Sequence, residues 1–161
     1  MPDTPYIVVR FIANHTFLSW SIRRLTGSLF SHVELGTPEG TWIGALADGI
    51  KERPANYCNP FREYVYHIPC TAEEEAFFLS TARAAIGTPY NKLDIVGLAL
   101  GIRGLVGKTG EICSWFGVQE LIDTFGADRV LNVLPGWEHR VTPEMLHLSP
   151  IFVGRRVPKE F

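Results

Sequence analysis

Three residues of this chain have the types and setting to act together on a carbonyl group: Cys113, His32 and Glu34. A thiol attacks as its thiolate, and a helix N-terminus lowers thiol pKa because exposed amides and the helix dipole favour the anion. The pattern over residues 111–125 predicts a helix, its apolar positions 115, 116, 118, 121, 122 and 125 forming one broad stripe, with Cys113 at its beginning. Free amides in the same first turn can stabilise an oxyanion. A cysteine so placed is either a nucleophile or a small buried apolar residue, a common fate of unpaired Cys. Cys58 and Cys70 fall in a loop and at a strand end, with no activating element in the sequence.

A cysteine nucleophile needs an imidazole as base and acid. The candidates are His15, His32, His67, His139 and His147. His32 opens an alternating stretch, 31–35, in which His32 and Glu34 share one face of a strand and Val33 and Leu35 the other. A carboxylate there favours the imidazolium of a thiolate–imidazolium pair. The competing role for His32 is that of a hydrogen-bonded structural histidine. His67 falls within a strand, and His139 and His147 in an irregular C-terminal region. The chain has no HExxH, paired CxxC, Walker loop or GxGxxG, so neither a metal nor a cofactor is expected.

The elements that must position these residues follow from periodicity and punctuation. Residues 6–12 predict a buried strand and 17–25 a short helix closed by Gly27. Residues 31–35 and 41–45 predict a hairpin across the turn 36–40, followed by a loop around Asp48-Gly49 and Arg53-Pro54. A strand is expected over 63–68, then a helix capped by Thr71 and running to about 86. Gly87-Thr-Pro-Tyr90 breaks the chain before a buried helix at 93–100 and a loop, 101–110, with four glycines. After the Cys113 helix, Thr142-Pro-Glu-Met predicts a capped helix and 151–153 a last strand.

Composition sets the outer bounds. The 161 residues are 46% hydrophobic, 12% aromatic and 20% charged, which excludes disorder, collagen and coiled coil and fits one domain, 1–161. Fifteen Lys and Arg against seventeen Asp and Glu give a charge of −2, so no global field recruits nucleic acid or an anionic membrane, and only a local basic patch could do so. The longest apolar stretch, 93–106, is interrupted by Asp94 and Arg103 and is too short for a transmembrane segment. The first residues lack the features of a secretory signal, and a reduced, cytoplasmic setting is expected. Nothing specifies an oligomeric state.

Read in order, the motifs Ser31-His-Val-Glu-Leu-Gly, Gly40-Thr-Trp-Ile-Gly-Ala, Asp48-Gly-Ile, Gly87-Thr-Pro-Tyr90 and Ile112-Cys-Ser114 resemble the circularly permuted papain-like cysteine hydrolases. These are the YiiX-like branch of the NlpC superfamily of cell-wall peptidases, distantly akin to lecithin retinol acyltransferases. In that branch the histidine strand precedes the cysteine helix, as here, and the resemblance spans roughly residues 6–125. It implies an α+β, NlpC-like fold, a small antiparallel sheet packed against helices. It implies Cys113 as nucleophile, His32 as base and acid, and Tyr90 and Ser114 as substrate-binding residues. The implied substrate is an amide or peptide, such as a peptidoglycan stem peptide, reached by phage lysis or a secretion apparatus, with a lipid ester as second choice. The third polar residue of relatives often comes from the strand after the histidine, where this chain has Gly44; Glu34 is the substitute. That departure also supports a catalytically weak fold used as a binding module, and a protein binding metal through scattered Cys and His is the remaining alternative.

Overall fold

The computed structural model describes residues 4–46, 48–89, 113–131 and 141–157, with Leu25 and residues 113–115 described by backbone alone. In chain order the described elements are β1 (Tyr6–Ala13), α1 (Phe17–Thr26), β2 (His32–Gly36), β3 (Trp42–Leu46), β4 (Gly49–Arg53) and β5 (Arg62–Pro69). There follow α2 (Ala72–Ala84), α3 (Cys113–Phe125), α4 (Ala127–Val130), α5 (Pro143–His147), a 3-10 turn (Pro150–Phe152) and β6 (Arg156–Val157). The strands form one antiparallel sheet in the order β4-β3-β2-β1-β5-β6.

Strand register sorts the side chains into two faces. Val9 lies opposite Leu35 and Tyr66, and Phe11 opposite Val33 and Tyr64. With Ile43 and Ile68 these residues form the apolar face, covered by Phe78 of α2 and Phe116, Val118 and Leu121 of α3. Helix α3 packs against β2 and β3, and Gly117 sets how closely. A Cβ at that position would stand 3.1 Å from Val33 Cγ1. The opposite face places Arg10 against Glu34 and Ile12 against His32.

The helices begin where side chains satisfy their free amides. Thr71 accepts from the Glu74 amide while Glu74 reaches back to the Thr71 amide, a capping box worth about 1 kcal/mol. Thr16 caps α1 and Thr142 caps α5.

Three expectations change. Residues 49–53, read as part of a loop, are the edge strand β4, paired with β3 from Trp42↔Arg53 to Leu46↔Gly49. Residues 151–153 form no strand: Ile151 and Phe152 lie in the 3-10 turn, and the last strand is β6 against Val65 and Tyr66. His147 is the last residue of α5, and its ring is packed edge-on to Phe11 (5.3 Å) with Nε2 2.7 Å from the Tyr66 hydroxyl. The helix expected at 93–100 and the loop at 101–110 lie outside the described residues.

Phe11 has no exposed surface and contacts the rings of Phe30, Tyr66, His147 and Phe152. Phe11→Ala is expected to cost about 3–5 kcal/mol, read as a lower urea midpoint at unchanged slope.

Candidate active site

His32 is the first residue of β2, 4% exposed, and is followed two residues on by Glu34, which has no exposed surface. Strand alternation puts both on the face opposite the helices, as the spacing predicts. His32 Nε2 stands 3.3 Å from Glu34 Oε1. The carboxylate's two oxygens have different partners. Oε2 accepts from Arg10 Nε at 2.8 Å and from Arg10 Nη2, and Oε1 accepts from the Tyr57 hydroxyl. Arg10 in turn donates to Glu63 at 3.1 Å and lies over the Trp42 ring at 4.0 Å.

Gly44 completes the arrangement by having no side chain. A Cβ there would stand 3.0 Å from both His32 Nε2 and Glu34 Cγ. The space in which a polar residue of the next strand would meet the imidazole is therefore taken up by Glu34. Two neighbours on one strand make the contact because the strand beside them is bare.

The electrostatics follow from burial and its compensation. Burial pushes the Glu34 carboxyl upward, but contact with protonated His32, the Arg10 guanidinium and the Tyr57 hydroxyl outweighs it and brings it down to about 2. Burial acts to lower the Arg10 pKa, and Glu34 more than offsets it, leaving the guanidinium held charged. Burial, and then the adjacent carboxylate, push the Tyr57 phenol upward, so it remains a hydrogen-bond donor.

Cys113 lies in α3, where the described part of that helix begins; its side chain, that of Ser114 and the whole of Tyr90 lie outside the described residues. The helix packs on the apolar face, its Gly117 against Val33, the residue after His32. Residue 113 is one turn earlier, about 6 Å along the helix. The helix and the His32 side chain thus lie on opposite faces of β2.

The other histidines have structural surroundings. His67 stacks on Tyr6 at 4.2 Å, burial lowering its pKa, and His15 contacts Phe61 at 4.8 Å. His139 lies outside the described residues. Burial, and then Glu75 and Glu74, raise the Cys70 thiol pKa, which opposes thiolate formation. Cys58 follows Tyr57 on the loop between β4 and β5 and lies near Tyr57 and Arg10.

Sequence reading missed Arg10 and Tyr57. A charge inside the apolar run Ile7-Val-Val-Arg-Phe-Ile12 was the available signal, since a buried arginine requires an anionic partner. Tyr57, in an irregular loop, gave none. A cleft of about 530 Å³, lined by Ile7, Val8, Gly36, Thr37, Glu75 and Phe78, lies at the other end of β1 and β2 from His32. Among the described residues no cluster of three or more His, Cys, Asp or Glu side chains could hold a metal, and no helix is long and apolar enough to cross a membrane.

Removing one partner of a buried ion pair leaves the other uncompensated. Arg10→Met is expected to cost about 3–5 kcal/mol, and Arg10→Met/Glu34→Met to recover most of it, by urea denaturation. The Glu34 contribution is complete above its ordinary pKa of 4.5 and is lost as pH falls through about 2. Stability should decline over that acid range by on the order of 3 kcal/mol, a component missing from Glu34→Gln.

No family model matches the chain, and no curated protein matches it. Among solved structures, YiiX from Escherichia coli O157:H7, described as a metalloprotein (DUF1105), superposes with a TM-score of 0.58. The match covers 98% of this chain and 99% of that one, at 17% identity. Over its whole length this chain shares the fold of YiiX.

Proposed function

We propose that this protein is a cysteine hydrolase acting on an amide or peptide bond, with Cys113 as nucleophile, His32 as base and acid, and Glu34 as the residue that orients the imidazole. The observation that carries this reading is the buried His32–Glu34 contact at 3.3 Å beside a side-chain-free Gly44. An imidazole held through Nε2 exchanges protons with a thiol and a leaving group through Nδ1. The sequence expectation that Cys113 lies in the first turn of its helix supports a lowered thiol pKa.

In the reaction, Sγ adds to the carbonyl carbon and the oxygen becomes an oxyanion facing first-turn amides. The tetrahedral adduct collapses with cleavage of the carbon–nitrogen bond, the imidazolium proton passing to the departing amine and a thioester remaining. Water, deprotonated by His32, attacks the thioester. The acid departs and the thiol is restored. Peptidoglycan stem peptides are the proposed substrate class, and lipid esters, with cleavage at carbon–oxygen, the alternative.

The structural neighbour's description as a metalloprotein does not transfer readily to this cluster. Glu34 is already engaged by the Arg10 guanidinium, a fixed cation that opposes a second one. The bare Gly44 position favours the binding-module reading in a fold that relies on a residue there, whereas a carboxylate filling that space favours catalysis.

The test is iodoacetamide labelling against pH, each cysteine assigned by mass spectrometry, in the native protein and His32→Ala. Cys113 should label rapidly below pH 7 and lose that advantage, by about tenfold or more, without His32. His32-dependent labelling of Cys58 instead, or no effect of His32, would refute the assignment.

A further inference from the structure

Helix α1 buries Ile22 at 8% exposure but leaves three other apolar side chains in solvent. Its inward side carries Ser19, 5% exposed, whose hydroxyl bonds the Ser31 hydroxyl at 2.7 Å. Its outward side carries Phe17 at 81% exposure, Trp20 at 54% and Leu18 at 39%. The Phe17 and Trp20 rings are stacked, 5.8 Å apart. Exposed Leu29 and Phe61 extend the patch: the Arg23 guanidinium lies 4.8 Å from the Phe61 ring, and Arg62 bonds the Leu29 carbonyl. Apolar residues grouped in this way mark an interaction site rather than ordinary surface scatter.

Three arginines lie around the patch, and the Glu144 carboxylate stands at its Leu29 edge, accepting from the Leu29 amide at 2.8 Å. Arg23, Arg24 and Arg62 form no ion pair with a carboxylate among the described residues. Arg23 Nε is buried and has no hydrogen-bond acceptor. Trp20, Arg23, Arg24, Gly27 and Ser28 line a shallow depression of about 280 Å³, open to solvent beside the aromatic pair. Cationic donors around a small open depression suit a phosphate, and the aromatic side chains next to them suit the acyl boundary beneath a layer of phosphates.

We propose that the α1 face docks this protein on a bilayer containing anionic phospholipid. Phe17, Leu18 and Trp20 enter the headgroup–acyl boundary while Arg23 and Arg24 hold lipid phosphates, aromatic body inward and cationic head at the interface. A second copy of the chain fits less well. A twofold contact through this patch would bring its arginines together with their own counterparts, and like charges across an interface are unfavourable. The proposal is independent of the hydrolase reading and is read without any activity.

The experiment is co-sedimentation of the full chain with vesicles of phosphatidylglycerol and phosphatidylcholine, against phosphatidylcholine alone, at low and high salt. Binding to the anionic vesicles should exceed binding to the neutral ones by about tenfold and weaken with salt. Phe17→Ser/Trp20→Ser and Arg23→Gln/Arg24→Gln should each reduce it about tenfold with unchanged circular dichroism. Brominated acyl chains should quench tryptophan fluorescence in the native protein and much less in Trp20→Phe. Failure to bind anionic vesicles, or binding unaffected by either double variant, would overturn the proposal. So would a dimer in ultracentrifugation, abolished by Phe17→Ser/Trp20→Ser, without vesicle binding.

Discussion

A carboxylate with no exposed surface, Glu34, is the constraint around which one face of the sheet is arranged. Removing such a group from water costs several kcal/mol unless charge and hydrogen bonds replace the lost hydration. The compensation comes from three separate elements: Arg10 across the β1–β2 pairing, His32 on the same strand, and Tyr57 from the loop between β4 and β5. Register cannot slip by one residue without sending Arg10 or Glu34 to the apolar face. Gly44 is bound by the same constraint, since a Cβ there would press on His32 Nε2 and Glu34 Cγ at 3.0 Å.

Legibility in the sequence tracked the range of the forces involved. Strand β1, the hairpin of β2 and β3, the Thr71 capping box and the helix carrying Cys113 are marked by alternation, caps and apolar stripes within a dozen residues. Strand β4 was hidden because Lys51-Glu52-Arg53 reads as polar loop, and an edge strand gains its structure from pairing rather than burial. Residues 151–152 are apolar because a 3-10 turn buries them near Phe11 and Tyr66, which mimics a strand's composition without its pairing. Within the site, His32 and Glu34 were readable from their spacing and Gly44 from its departure from the resemblance. Tyr57 was not, because only the folded path of its loop brings it to Glu34.

The shared fold with YiiX at 17% identity settles architecture and leaves chemistry to the site, because one fold supports many activities. The two functional proposals draw on different physics. The hydrolase reading depends on a buried charge network and a helix start; the membrane reading depends on exposed aromatic and cationic groups with no internal role.

The most direct measurement of the central claim is the titration of the His32 imidazole by NMR in the native protein and in Cys113→Ser. If Cys113 and His32 form a thiolate–imidazolium pair, the imidazolium persists to higher pH in the native protein, and its pKa falls by a unit or more, about 1.4 kcal/mol, when the thiolate is removed. An identical titration in both proteins would contradict the pairing and leave His32 as a structural residue of the Arg10–Glu34 cluster.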